Sequence, residues 1–227
     1  MDNGVRIDMR CARRTVASVA VTAALALSLG ACTGVPGVFE YESSSARASG
    51  GAAAGFDAPG YVAKIWESKV LPTVSGKAVD ASTLLGAIAA DPAAAAKQYG
   101  TTSGTGAAPA FLVKGEGTVT AVDATAPTGP VTVTLAPGGQ TVALVTGPVI
   151  AGTALRDAVG FIDFSQFTNQ IDYADVGTEL NNKVKTDVVG KLDKASLTGK
   201  TVSFEGAFSL LTPTTVSIVP TKVQVAP

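Results

Sequence analysis

Cys32 closes an uncharged run from Thr15 to Leu29 followed by Gly30 and Ala31, and its thiolate has one evident chemistry, thioether formation with a lipid donor. A second group with chemical potential lies between Gly152 and Ala174, where Arg156, Asp157, Asn169, Gln170 and Tyr173 crowd into one connection beside Phe161, Phe164 and Phe167. Arginine and amide side chains make the paired hydrogen bonds that sugars and carboxylates favour, and connections carry function more often than strands do. The competing role for the same residues is structural. Arg156 then pairs with a nearby acid, while Asn169 and Gln170 cap helices and satisfy backbone groups.

The segment before Cys32 has the parts of an export signal: Arg6, Arg10, Arg13 and Arg14 at the front, an acid-free apolar stretch, and small residues before the cut. That stretch is shorter than the ~20 apolar residues a spanning helix needs. Leu29, Gly30 and Ala31 resemble the bacterial lipobox, so residues 1–31 are expected to be removed and Cys32 to become the lipidated first residue of a membrane-anchored extracytoplasmic protein. The residues after Arg13-Arg14 do not resemble the twin-arginine motif, which leaves Sec export as the expected route.

Removing Arg6, Arg10, Arg13, Arg14, Asp2 and Asp8 with this segment leaves 13 Lys and Arg against 16 Asp and Glu, a net charge of −3. Such a balance argues against nucleic acid, whose binders need clustered positive charge. It equally disfavours electrostatic adhesion to an anionic bilayer, so the lipid must anchor the protein. Cys32 is then the sole cysteine, and no disulfide within the chain is expected. With no histidine anywhere, histidine triads, most zinc sites and the commonest general base are absent. No Gly-x-Ser-x-Gly elbow, Ser-x-x-Lys pair, phosphate loop or dinucleotide fingerprint is present. A glycosidase built on two distant carboxylates is the enzyme reading that survives this inventory, although nothing in the sequence brings two acids together. The expectation is a protein without catalysis, metal or cofactor.

Residues 32–56, rich in Gly, Ser and Ala, read as a tether whose root-mean-square span is about 25–30 Å if it is a flexible coil. Residues 57–110 read as a helical hairpin or small bundle. Asp57 caps a first helix carrying Val62, Ile65, Trp66 and Val70 on one face and ending at Pro72. Leu84, Leu85 and Ile88 mark a second helix after Asp80, and Asp91-Pro92 starts a third from Ala93 to Tyr99, stopped by Gly100. Trp66 at that spacing is a core residue before it is a ligand platform.

From Phe111 the period falls to two: Phe111, Val113, Gly115, Gly117, Val119 and Ala121 share one face, and Lys114, Glu116, Thr118 and Thr120 the other. Strands follow at Val131–Leu135 and Thr141–Val149 around a Pro137-Gly138-Gly139 turn. A helical stretch from Thr153 to Val189 puts Tyr173, Val176, Leu180, Val184 and Val188 on one stripe. Two more strands span Thr201–Leu210 and Val216–Val225, with Pro220 at a bulge or edge. The expected fold class is α+β: an N-terminal helical subdomain, then, over residues 111–227, a five-stranded barrel with the order of the oligonucleotide/oligosaccharide-binding (OB) fold and a helical connection between its third and fourth strands.

Ile65-Trp66-Glu67-Ser68-Lys69-Val70-Leu71-Pro72, Phe111 to Gly117, Gly147 to Ile150 with Gly152 to Asp157, and Phe167 to Ile171 with Tyr173-Ala174 resemble a domain-of-unknown-function family of predicted periplasmic lipoproteins. The resemblance runs from about Phe56 to the C-terminus and implies the same helical subdomain and small barrel. It also implies an accessory role beside sugar ABC-transporter components, because genes of that kind often neighbour family members. Two function classes follow: a tethered binding or accessory module, and a structural envelope lipoprotein that contacts other proteins.

Overall fold

A computed structural model describes residues 55–104, 106–211 and 216–226; Cys32, the export segment and all of the tether before Gly55 lie outside them. Asp57 accepts the Gly60 N–H at 2.9 Å and opens α1 (Ala58–Ile65), with Pro59 in the first turn where its missing N–H costs nothing. The sequence expectation that Pro72 ends this helix is corrected. A π-turn over Trp66–Val70 lets the Leu71 N–H reach the Trp66 carbonyl, and α2 (Leu71–Lys77) continues with Pro72 in its first turn, where no N–H is required of it. Asp80 and Asp91 cap α3 (Ala81–Ala90) and α4 (Pro92–Tyr99), the two helices expected after them, and α4 stops at Gly100.

Five strands then close on themselves. They are β3 (Ala110–Val122), β4 (Pro130–Leu135), β5 (Thr141–Val145), β6 (Thr201–Ser209) and β7 (Ser217–Val225), paired in the cyclic order β3-β4-β5-β7-β6 and back to β3. Only the β5–β7 pairing in this ring is parallel, with Ala143 opposite Ser217 and Leu144 opposite Ile218. Two short strands were not foreseen: β1 (Val79–Asp80) runs parallel to β3, and β2 (Gly100–Thr101) pairs antiparallel with it. Between β5 and β6 lie α5 (Ala154–Val159), a 3₁₀ turn at Phe164–Gln166, and α6 (Gln170–Asp187), whose Val176, Leu180 and Val184 are buried on the expected stripe.

Two details depart from the periodic reading and one agrees with it. Ala121 is exposed, because a bulge between Val119 and Ala121 shifts the register against β4 and turns Val122 toward the core instead. Strand β5 ends at Val145 rather than Val149: Gly147 donates its N–H to Thr128 at 2.7 Å and Val149 to Pro127 at 3.1 Å, drawing the chain off the sheet. A side chain at Gly147 would forbid this, since its Cβ would lie 2.4 Å from the Pro127 carbonyl oxygen. Pro220 does stand at a bulge, with Gly206 opposite Pro220 and Glu205 opposite Lys222, so that Thr221 is the extra residue.

Four consecutive residues of β3, Ala110 to Val113, are buried, because both faces of the strand are covered. Phe111 and Val113 point into the barrel, packed with Phe204, Phe208, Val133 and Ile218 and with Leu84 and Ile88 of α3. The Phe111 and Phe208 rings stack at 5.2 Å. Ala110 and Leu112 face the other way, into a layer formed by α1, α5, α6 and the buried Trp66. Helices from before and after the first three barrel strands therefore share one core. The inward glycines of β3 allow close packing: a Cβ on Gly117 would meet the Thr134 carbonyl oxygen at 2.2 Å, and one on Gly115 the Phe204 ring at 2.9 Å.

Candidate functional site

Helix α5 is short, and the left-handed Gly160 (φ 72°) ends it. Ala154, Leu155, Ala158 and Val159 bury it between the sheet and α6, and Arg156 is carried in with them, only 9% exposed. A guanidinium in that position needs partners on every side. Its Nε donates to Asp157 Oδ1 at 2.8 Å and its Nη1 to the Tyr173 carbonyl at 3.1 Å, while its carbon lies 3.7 Å from the centre of the Tyr173 ring. The Thr153 hydroxyl donates to Asp157 Oδ2 at 2.6 Å, so both carboxylate oxygens are engaged. The cluster is a charge-assisted lock between α5 and the first turns of α6.

The structure thus brings together three of the five residues singled out from sequence: Arg156, Asp157 and Tyr173. Asn169 is the N-cap of α6, where its Oδ1 accepts the Ile171 and Asp172 N–H groups, both at 2.9 Å. Gln170 is the exposed first residue of that helix. Neither lines the opening beside Arg156.

That opening is a cleft of about 720 Å³, with Arg156, Asp157 and Thr153 on one wall. Pro130, Ala143, Val145 and Val219 of the barrel supply apolar surface, and Ser103, Thr128, Ser209 and Ser217 supply hydroxyl-bearing residues. Its size and its mix of apolar surface and few polar groups suit a small molecule. Sequence reasoning missed the three serines and Thr128. They come from four separate segments, none with a motif, and only closure of the barrel makes them neighbours.

The family model described as predicted periplasmic lipoprotein (DUF2291) matches residues 22–224. The chain belongs to this family. The lipoprotein is accordingly extracytoplasmic and held to the cell membrane through lipid. Among solved structures it is similar to an OB-fold protein from Thermotoga maritima, at 22% identity and a TM-score of 0.64, over 76% of this chain and 99% of that one. This likeness establishes the barrel fold expected from the strand order. No curated protein matches the chain.

Burial pushes the Tyr173 phenol above its ordinary value, opposed by the positive charge of Arg156 and reinforced by Asp157. Tyr61 is raised by burial as well. Asp163, in the loop between α5 and α6, is lowered by hydrogen bonds from the Ser165 hydroxyl and N–H and remains a carboxylate. Among the described residues no group of three or more His, Cys, Asp or Glu is arranged to hold a metal ion.

Proposed function

We propose that this lipoprotein is a non-enzymatic, membrane-tethered binding module, accessory to solute uptake, that admits a small polar molecule of the sugar class to the cleft beside Arg156 and Asp157. The observation that carries the reading is the cleft itself: apolar barrel surface opposite a charged pair and several hydroxyl-bearing residues. Sugars present both C–H faces and hydroxyls, and that pairing of surfaces answers both. The Arg156–Asp157 pair, on the cleft wall, supplies polar groups for a ligand. Sugar ABC-transporter components are the proposed partners, because the family resemblance implies them.

Thermal melts of the mature protein with a panel of neutral mono- and disaccharides test the reading. A ligand at about 100 times its Kd adds about 2.7 kcal/mol to the folded state, enough to raise the midpoint measurably. Ser209→Tyr, which fills the cleft, is expected to abolish the shift. If no member of the panel moves the midpoint, the sugar reading fails.

The lipid is proposed to sit on Cys32. Cys32→Ser should leave the protein uncleaved or in the soluble fraction, and mass spectrometry of an intact, processed, membrane-bound protein with an unmodified Cys32 would refute the assignment.

A further inference from the structure

Five aromatic side chains gather where the described chain begins. Phe56 lies 5.5 Å from the Tyr61 ring and 5.2 Å from Phe167, and Tyr61 lies 5.6 Å from Phe167. The chain of rings continues through Phe167 to Tyr173 at 5.5 Å and on to Phe164 at 5.7 Å. Exposed Ile171 is close to this cluster along the chain, in the first turn of α6 two residues before Tyr173. Packing among themselves does not bury them: Phe56 is 37% exposed, Phe164 44% and Ile171 58%. Among the described residues the other exposed large apolar side chains, Val149, Leu211 and Val225, come from three other segments and take no part in these ring contacts.

The position of this face decides its occupant. Phe56 follows Cys32 by 24 residues, a stretch that reaches no more than about 86 Å fully extended and about 25–30 Å as a coil. A lipid on Cys32 therefore holds the Phe56 end of the domain close to the bilayer, at high effective concentration. The aromatic residues at that end suit the headgroup region, where rings with one apolar and one wet side collect. Acids rim the face: Asp57 and Asp163 are fixed by the Gly60 and Ser165 N–H groups, and Asp172 accepts from Asn169 Nδ2 at 3.1 Å. They disfavour an anionic surface and leave apolar partitioning as the driving force.

We infer that the lipoprotein lays this aromatic face on the membrane that carries its anchor, docking through interfacial partitioning rather than charge. This rests on the Cys32 lipid proposed above. It would hold α6 and the loop before it against the bilayer and give the tethered domain one orientation.

The lipidated full chain, reconstituted in phosphatidylcholine vesicles with brominated acyl chains, tests it. Phe164→Trp and Ile171→Trp report on the face, Val225→Trp on a distant strand end, and the buried Trp66 is a background common to all three. Emission from the two face variants is expected to fall about twofold relative to unbrominated vesicles, because interfacial rings lie within reach of the bromines, with no dependence on salt. The Val225→Trp signal should not change. Equal quenching at all three sites, or at none, overturns the proposal, and so does a blue-shifted, unquenched emission at 164, which would place the face against protein or a second copy. Flotation of the vesicles reads the anchor separately. Protein that fails to float removes the anchor and the docking together, whereas protein that floats without quenching removes the docking alone.

Discussion

The barrel interior and the helical layer lie on opposite faces of β3, and only one of them carries polar chemistry. Inside the barrel, Phe111, Val113, Phe204, Phe208 and Ile218 fill the space, with the Phe204 ring requiring glycine at 115 and the close approach of β4 requiring it at 117. The helical layer is just as apolar at its centre, around Val62, Leu155, Val176 and Leu180, but its margin takes in Arg156 and Asn181. Asn181 Nδ2 donates to the Ile150 and Gly152 carbonyls at 3.2 and 2.9 Å, and it and Arg156 tie the connection after β5 down onto α6. A five-stranded barrel filled by its own side chains has no room for a ligand, so recognition is left to the seam where the connection crosses its outer surface.

Substitutions in the two regions should therefore differ in kind, beginning with the largest effect. Phe111→Ala removes a stacked ring from a fully buried site and is expected to cost about 3–5 kcal/mol in urea unfolding while leaving the cleft's chemistry untouched; a loss below about 1 kcal/mol would mean the barrel is not filled as described. Arg156→Ala leaves Asp157 Oδ1 and the Tyr173 carbonyl without the guanidinium donors, Thr153 alone still bonding the carboxylate, and should cost about 1–3 kcal/mol. Were its midpoint unchanged while sugar binding fell, Arg156 would be a ligand contact instead of a lock. Asn169→Ala should cost about 1 kcal/mol through loss of the α6 cap, with Asn169→Asp restoring most of it and neither altering ligand affinity.

The smallest effect expected is a pH dependence at the seam. Folding raises the Tyr61 and Tyr173 phenols, burial being the first cause in both. Their contribution is whole below the free phenol's pKa of about 10 and is lost as pH rises through the higher folded values. Thermal melts across that alkaline window should show a shallower decline for Tyr173→Phe than for the parent. An identical decline would mean that Tyr173 titrates alike in the folded and unfolded chains.

Much of this could be read locally. Asp57, Asp80 and Asp91 announce their helices because a cap acts within three residues, and the α6 stripe and the alternation in β6 follow from backbone period alone. The same logic placed Pro220 at a bulge or an edge, and it stands at a bulge. That logic failed at Pro72, where a π-turn held by the packing of Trp66 and Val70 makes room for a proline in a continuing helix, and at Ala121, where one extra residue in β3 inverts the alternation. Of the candidate site, the Arg156–Asp157 pair was visible as neighbouring charges, but the serines opposite it were not, because a hydroxyl in a strand or loop carries no signal until another segment is set beside it.

Taken alone, the sequence determined that this protein is exported and anchored, that it has no histidine and no cysteine pair with which to staple its domain, and that helices, three strands, helices and two strands follow one another. Those are properties of composition and of interactions within a few residues. Only the tertiary structure decided that α1 and α6 share a core, which residues pair across β3–β6 and β5–β7, and that Ser103, Ser209 and Ser217 line the same cleft as Arg156. Each of those contacts joins residues far apart along the chain, whose approach depends on the fit of the whole core and leaves no mark on the neighbouring sequence.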